Sequence, residues 1–347
     1  MMRHDDPIFH DALFRNKRKH GGFCVVEPPT PPLEAPVADT HAHLEMLPSA
    51  PLALARCAVH GVGFICDIVD VCEKASGRSA YNLLDTWLAQ AQHYLEDGSA
   101  ASGDGSEAER FGPVPNVFLA SGDRSEAERF GPVPSVFKLP HVRVAVGCHP
   151  HNARHYSPEA QALLVERLRD PLTCALGEVG LDFHYDFSPR DTQREVFRRQ
   201  IALAHEANLP LILHLREAHE EAFAIMEAEG FPAAGTLLHC YNLDTATLEP
   251  WLARDCFVAL GGPLTFKKSE ELRGAALTVP RNRLLTETDA PFMAPEPMRG
   301  MSCGPEHVIF TAARLAEVFS CEAGEARRLF LEDLYRSALN LLDRGRV

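Results

Sequence analysis

Leu211-Ile212-Leu213-His214-Leu215-Arg216 and Thr236-Leu237-Leu238-His239-Cys240-Tyr241 share one design, a short apolar run that reaches a histidine. Runs this short suit strands buried on both faces better than helices. A histidine at the end of such a run stands where the packed interior gives way to a rim. The same kind of strand candidate occurs near residues 37–41, 62–69, 142–147, 173–177, 256–260 and 283–287, alongside 210–214 and 235–239 for the two quoted above. Most of these runs deliver a polar residue at or just past their end.

Between the runs lie segments with helical spacing. Tyr81, Leu84, Trp87, Leu88, Ala91, Tyr94 and Leu95 place apolar side chains on one helix face. Ser188-Pro189 reads as an N-cap followed by proline, opening a helix through about Ala207. About eight such alternations predict a (βα)8 TIM barrel over residues 37–341, a single domain with closing helices after residue 304. A doubly wound sheet is the structural rival, but it does not explain ligand-type residues arriving after most strands.

Two segments stand outside that pattern. Residues 1–36 end in Pro28-Pro29-Thr30-Pro31-Pro32 and read as an extended, flexible N-terminal tail. Ser102 to Phe118 recurs as Ser121 to Phe137, differing only at Gly105/Arg124 and Asn116/Ser135. Glycine, proline, serine and charge dominate the unit, so the insertion of about 97–140 reads as a duplicated mobile loop. It enters the following strand from the barrel's N-terminal face, remote from the chemistry.

A net charge of −14 over 347 residues repels polyanions at long range, which argues against a general nucleic-acid coating protein. It leaves room for an enzyme whose cations supply local positive potential. The 10 cysteines include no closely spaced CxxC pair and read as reduced thiols, mostly in or near the core. No apolar stretch approaches the ~20 residues of a membrane helix, and Met1 to Gly22 lacks a signal-peptide pattern. The expectation is a cytoplasmic protein. The cluster Arg15-Asn16-Lys17-Arg18-Lys19-His20 reads as solvated charge, with a nuclear address as its other reading. Oligomeric state is open, and a monomer is consistent with everything above.

The chemistry lies in the strand-end residues. His41 and His43, two apart on an extended segment, point to one side and can reach a single cation. They also read as hydrogen-bonded structural histidines. Asp39 stands on the same side and can orient an imidazole or the strand terminus. His149, in Gly147-Cys148-His149-Pro150-His151, is either a donor to a phosphate oxygen or leaving group, or a buried structural histidine; His151 reads as a rim residue. Glu178, between Gly177 and Gly180 at the end of an apolar run, needs a cation and suits a bridge between two; Asp182 reads as support for the turn. Arg216 reads either as a bidentate phosphate or carboxylate contact or as a rim salt bridge. Asp289, close after Glu287, can ligate a metal and take a proton from the attacking water.

Together DTHAHL (39–44), GCHP (147–150), GEVGLDF (177–183), HLREA (214–218), HCY (239–241), LTFK (264–267) and TETDAP (286–291) resemble the TatD family of metal-dependent hydrolases, a branch of the amidohydrolase-like barrels. The resemblance covers about 37 to 341. It implies two divalent cations, with zinc, manganese and magnesium as the candidates. His41, His43, Glu178 and Asp289 would hold one cation, and Glu178, His214 and His239 the other. His149 and Arg216 match positions that contact the substrate phosphate. The implied activity is a deoxyribonuclease, trimming strand ends by attack of a cation-activated hydroxide, with Glu178, Asp289 and His149 as the catalytic groups. The same site allows a second enzyme reading, deacylation of D-aminoacyl-tRNA. A third reading is a non-catalytic barrel that binds nucleotide or a partner protein. Two departures stand out. Tyr241 replaces a usual phenylalanine, and Cys303-Gly304-Pro305-Glu306 replaces an asparagine-glutamate-proline stretch.

Overall fold

The computed structural model describes residues 14–18, 21–29, 33, 35–73, 79–100 and 137–344. The two tandem copies lie outside the described residues, apart from Phe137. The chain begins with a hairpin of β1 (Phe14–Lys17) and β2 (Phe23–Val26). The barrel strands follow as β3 (Val37–Ala42), β4 (Val62–Asp70), β5 (His141–Gly147), β6 (Thr173–Asp182), β7 (Leu211–Arg216), β8 (Thr236–Leu238), β9 (Phe257–Leu260) and β10 (Leu284–Thr286). These eight are parallel and lie side by side in chain order, as in a (βα)8 barrel. Helices α1 (Ala50–Val59), α2 (Ala80–Ala100), α3 (Pro158–Arg167), α4 (Arg190–Ala207), α5 (His219–Glu229), α6 (Thr245–Leu252) and α7 (Glu270–Thr278) alternate with them, and α8 (Val308–Val318) and α9 (Gly324–Leu342) close the chain. All eight predicted strands are present, and the helices fall between them as the spacing predicts.

The ring closes between its first and last strands without a regular ladder. Thr286 Oγ1 donates to Ala38 O at 2.7 Å and Thr40 Oγ1 donates to Thr286 O at 3.0 Å. Past the strand ends, Asp289 N donates to His41 O and His43 N to Ala290 O, at 2.9 and 2.8 Å. The seam is therefore stitched by two threonine hydroxyls and a few peptide bonds.

Every barrel strand sends a side chain into one buried cluster: Ala38, Phe64, Ala145, Cys174, Ile212, Leu237, Ala259 and Leu285. Ala338, Leu341 and Leu342 of α9 pack onto the same cluster, which therefore closes the barrel below and leaves the C-terminal strand ends for polar side chains. All ten cysteines are free thiols, and seven of them are buried.

Three sequence expectations change in detail. Within the segment read as an extended tail, residues 14–17 and 23–26 pair as a hairpin. Phe14 anchors it, 1% exposed, with its ring edge-on to Phe310 and His307 at 4.8 and 5.0 Å. A single large apolar side chain amid polar neighbours carries no periodic signal, yet burying it is worth roughly 1.5–3 kcal/mol. Strand β6 runs on through Asp182 instead of ending near 177, with a register shift between Leu176 and Val179. Helix α4 starts at Arg190 with Pro189 as N-cap. The Ser188 hydroxyl does not cap it; it donates to His151 O at 2.7 Å and accepts from Arg154 N at 3.0 Å. It thereby ties the loop after β5 to the loop after β6.

Candidate metal centre

Glu178 is the hub. It sits inside β6, 6% exposed, and the peptide that precedes it is cis. Gly180, two residues on, has φ +142°, and a Cβ there would lie 2.2 Å from His214 O. No other residue lets β6 approach β7 this closely, and the approach brings Glu178 against His214.

Five imidazoles surround the carboxylate. To Glu178 Oε2, His214 Nδ1 lies at 3.2 Å, His239 Nε2 at 3.3 Å, His41 Nε2 at 3.6 Å and His149 Nε2 at 3.8 Å. His43 Nε2 lies 3.5 Å from Oε1. Asp289 Oδ1 comes in across the seam, 3.5 Å from His43 Nε2 and 3.9 Å from His41 Nε2. Asp289 adopts φ +60°, a left-handed backbone that aspartate tolerates better than most residues. All six predicted ligands therefore meet at the C-terminal strand ends. Arg216 is exposed at the rim, its guanidinium carbon 4.6 Å above the Tyr185 ring. Among the described residues it makes no ion pair, so the salt-bridge reading finds no partner there.

A ring of acidic residues holds the imidazoles. Asp182 Oδ2 bonds His214 Nε2 at 3.2 Å and His151 Nε2 at 2.8 Å, while Oδ1 accepts the backbone N–H groups of His184 and Tyr185. Asp182 thus supports the turn, as expected, and also orients His214, which was not foreseen. Glu287, fully buried, stands 3.3 Å from His239 Nδ1 and accepts from Cys240 N. Strand parity puts Asp182, four residues past Glu178, on the same face without naming its partner, and Glu287 lies past the end of β10, where parity does not apply. Asp39 orients the strand terminus and not a ring. Its Oδ1 accepts from Thr288 N and His41 N, and its Oδ2 accepts from Thr288 Oγ1 at 2.6 Å. His151 is half-buried and bonded, more than a rim residue.

His149 has a defined tautomer. Its Nδ1 accepts from His151 N at 3.1 Å, so the ring proton of the neutral form sits on Nε2, the nitrogen facing Glu178. Asp70 Oδ2 fixes the loop by accepting from His149 N at 3.2 Å and Asn152 Nδ2 at 2.8 Å. Burial keeps this imidazole neutral, with a pKa well below its usual value.

The electrostatics show what the cluster lacks. Burial alone would raise the pKa of Glu178, but His149, His41 and the His214 hydrogen bond hold it well below the carboxylate range. Burial likewise opposes charge on His43 and His214, yet Asp289 and Glu178 around the first, and Asp182 and Glu178 around the second, raise both to about 9. With protons as the only counter-charges, the cluster recruits them onto its histidines. His41 and His149 are the exceptions: burial lowers the pKa of each, His239 lowers that of His41 further, and neither ring nitrogen of His41 has a hydrogen-bond partner. Two atoms each ~2.1 Å from a tetrahedral ion lie about 3.4 Å apart, which is the spacing of the pairs above and too long for good hydrogen bonds. The residues fit a divalent cation. Among the described residues, four sets in this cluster have ligand atoms within 4.8 Å of one another and can hold one: His41, His43 and Glu178; Glu178, His214 and His239; His41, His239 and Asp289; and His149, His151 and His214.

The Cys303–Glu306 stretch contributes nothing to these sets. Glu306 turns away to Arg56 at 2.9 Å, both fully buried, and a Cβ on Gly304 would lie 2.3 Å from the Glu306 carboxylate.

A parallel barrel whose strand ends gather imidazoles and carboxylates around one buried glutamate defines a metal-dependent hydrolase. The family profile described as TatD related DNase matches residues 38–336, and the chain belongs to that family. Among curated relatives, the metal-dependent hydrolase YabD of Bacillus subtilis is 38% identical over 197 residues, 54% of this chain and 77% of YabD. The 3'-5' ssDNA/RNA exonuclease TatD of Erwinia tasmaniensis is 36% identical over 197 residues, 53% of this chain and 76% of that protein. In fold, the chain matches the crystal structure of the TatD homologue YJJV from Escherichia coli K12 with a TM-score of 0.62, covering 88% of this chain and 98% of that one at 22% identity. No helix among the described residues is long and apolar enough to cross a membrane.

Proposed function

We propose that this chain is a nuclease that hydrolyses phosphodiester bonds in single-stranded nucleic acid, DNA foremost, from a strand end. The observation that carries the reading is Glu178, shared by two ligand sets with His41 and His43 on one side and His214 and His239 on the other. In this reading His41, His43, Glu178 and Asp289 hold one divalent cation, and Glu178, His214 and His239 hold a second. Bound there, the cations lower the pKa of water and offset negative charge that develops on phosphate oxygens.

The chain's own groups do the rest. Asp289, the most open of the carboxylates around Glu178 with 18% of its side chain exposed, takes the proton of the attacking water. His149 presents Nε2–H, a neutral donor, to a phosphate oxygen or to the departing oxygen. Arg216 at the rim reaches the phosphate beyond the cleaved bond. The Erwinia relative's name supplies the direction, 3' to 5', and the preference for single strands.

The test is end-labelled single-stranded DNA incubated with the protein and zinc, manganese or magnesium, beside D-aminoacyl-tRNA as a second substrate. Chelator-sensitive release of mononucleotides from the 3' end is expected, with two cations per chain by elemental analysis. Deacylation of the tRNA with no cleavage of DNA or RNA would overturn the nuclease reading.

A further inference from the structure

Four aromatic residues among the described ones are strongly exposed: Phe23, Tyr185, Phe187 and Phe292. Phe23 belongs to the hairpin; the other three border the metal centre. Phe292 stands 6.2 Å from the His43 ring, and Phe187 and Tyr185 lie edge-on to His151 at 4.8 and 5.5 Å. Tyr185 and Phe187 also stack on each other, ring centroids 5.2 Å apart and planes within 8°. They are 47% and 53% exposed, an arrangement with a hydration cost that packing among the described residues does not relieve.

The pair is held in place. Asp182 accepts from Tyr185 N and His184 N, and the Ser188 hydroxyl bonds the loop carrying His151. The same Asp182 bonds His214, which faces Glu178, so the platform is one side chain removed from the ligand cluster. Arg216 lies over the Tyr185 ring at 4.6 Å, placing a cation beside two aromatic faces.

We infer that Tyr185 and Phe187 form a nucleobase-stacking subsite that receives an unpaired base next to the cleaved phosphate, while Arg216 binds the phosphate attached to it. This rests on the nuclease reading above. The chain's net charge of −14 strengthens the case. A chain of this net charge gains little from long-range attraction to a polyanion, so local contacts carry more of the affinity. Stacking is insensitive to charge and to base identity, and it requires bases that are not already paired. The subsite therefore selects single strands over duplexes without reading sequence.

The experiment uses the metal-loaded full-length protein and two cleavage-resistant probes, phosphorothioate-linked decathymidylate and an abasic phosphorothioate decamer of equal charge. The intact protein should bind decathymidylate more tightly. Replacing both Tyr185→Ala and Phe187→Ala should weaken that binding about ten- to a hundredfold, the worth of one or two stacked bases, and leave the abasic probe unaffected. Tyr185→Phe should retain the preference. Metal content by elemental analysis should be unchanged in every variant, which separates loss of the platform from damage to the cation site. Equal binding of the two probes by the intact protein, or a base preference that survives the double substitution, would overturn the subsite. The nuclease reading fails differently: the intact protein would then cleave neither bis(p-nitrophenyl) phosphate nor DNA. The binding comparison judges the platform in either case.

Discussion

Two buried charged clusters at the top of this barrel look alike in composition and differ in kind. Around Glu306, a carboxylate meets the Arg56 guanidinium at 2.9 Å and the His307 ring at 3.4 Å, all buried. The negative charge has a permanent positive partner inside the chain. Around Glu178, the carboxylate meets only imidazoles, at 3.2 to 3.8 Å, with further carboxylates behind them. Among the described residues no arginine or lysine neutralises it; its counter-charge there comes as protons or as cations. Burial of charge alone does not distinguish a structural cluster from a functional one. The identity and spacing of the partners do.

The largest effect should come from breaking the Glu306–Arg56 ion pair. Glu306→Gln leaves the Arg56 charge buried and unpaired, at a cost of about 3–5 kcal/mol in stability by chemical denaturation. The pH dependence has a fixed sign. Burial would raise the Glu306 pKa, but Arg56 and His307 depress it from 4.5 to about 2 in the folded chain. The stabilisation is then complete above about 4.5 and disappears as pH falls toward 2. The substituted chain should lack this acid-sensitive component, and one that loses stability over that window as steeply as the parent would contradict the assignment.

Glu178→Gln should act on the other cluster chiefly through activity. Turnover should fall on the order of a hundredfold or more, equivalent to ~2.7 kcal/mol in the barrier, with metal content reduced. The metal-free chain should lose less stability than Glu306→Gln does, because His43 and His214 can shed their protons when the carboxylate charge goes, whereas Arg56 cannot. Full metal content with a near-normal rate would remove Glu178 from the centre of the mechanism.

Smaller effects should come from the carboxylates behind the imidazoles. Asp182→Asn and Glu287→Gln weaken the orientation of His214 and His239, and metal affinity by isothermal titration should drop about ten- to a hundredfold. Unchanged affinity in both would mean that these carboxylates serve only the turns they bond. The smallest effect should follow removal of residues 102–120. The insertion lies between α2 and β5, so it joins the barrel at the N-terminal end of a strand, opposite the ligands. Catalytic efficiency should stay within a few-fold, and a hundredfold loss in a folded protein would place the insertion at the active site.

How much of this was legible beforehand follows from which interactions are local. An apolar strand that ends on a polar residue is a local pattern, so all eight strands and the meeting of His41, His43, Glu178, His214, His239 and Asp289 could be read from the chain. The pairing of Asp182 with His214 and of Glu287 with His239 depends on which strands become neighbours and on the close approach at Gly180, and runs carrying those carboxylates look like any turn. The Phe14 hairpin was hidden for a related reason: its stability comes from a pocket made by His307 and Phe310, nearly three hundred residues away in the chain. Ser188-Pro189 shows the converse, a local signal for a helix start whose hydroxyl a nearby loop claims instead.

The seam between β3 and β10 has a consequence for biosynthesis. His41 and His43 lie on one side of it and Asp289 on the other, and the ring is closed there by Thr40, Thr286 and a few peptide bonds. During translation the first histidines leave the ribosome long before their partner aspartate exists. No nascent fragment ending before residue 289 can complete the cation site. In the proposed reading, the cation site is complete only when the last barrel strand and the residues just past it have emerged.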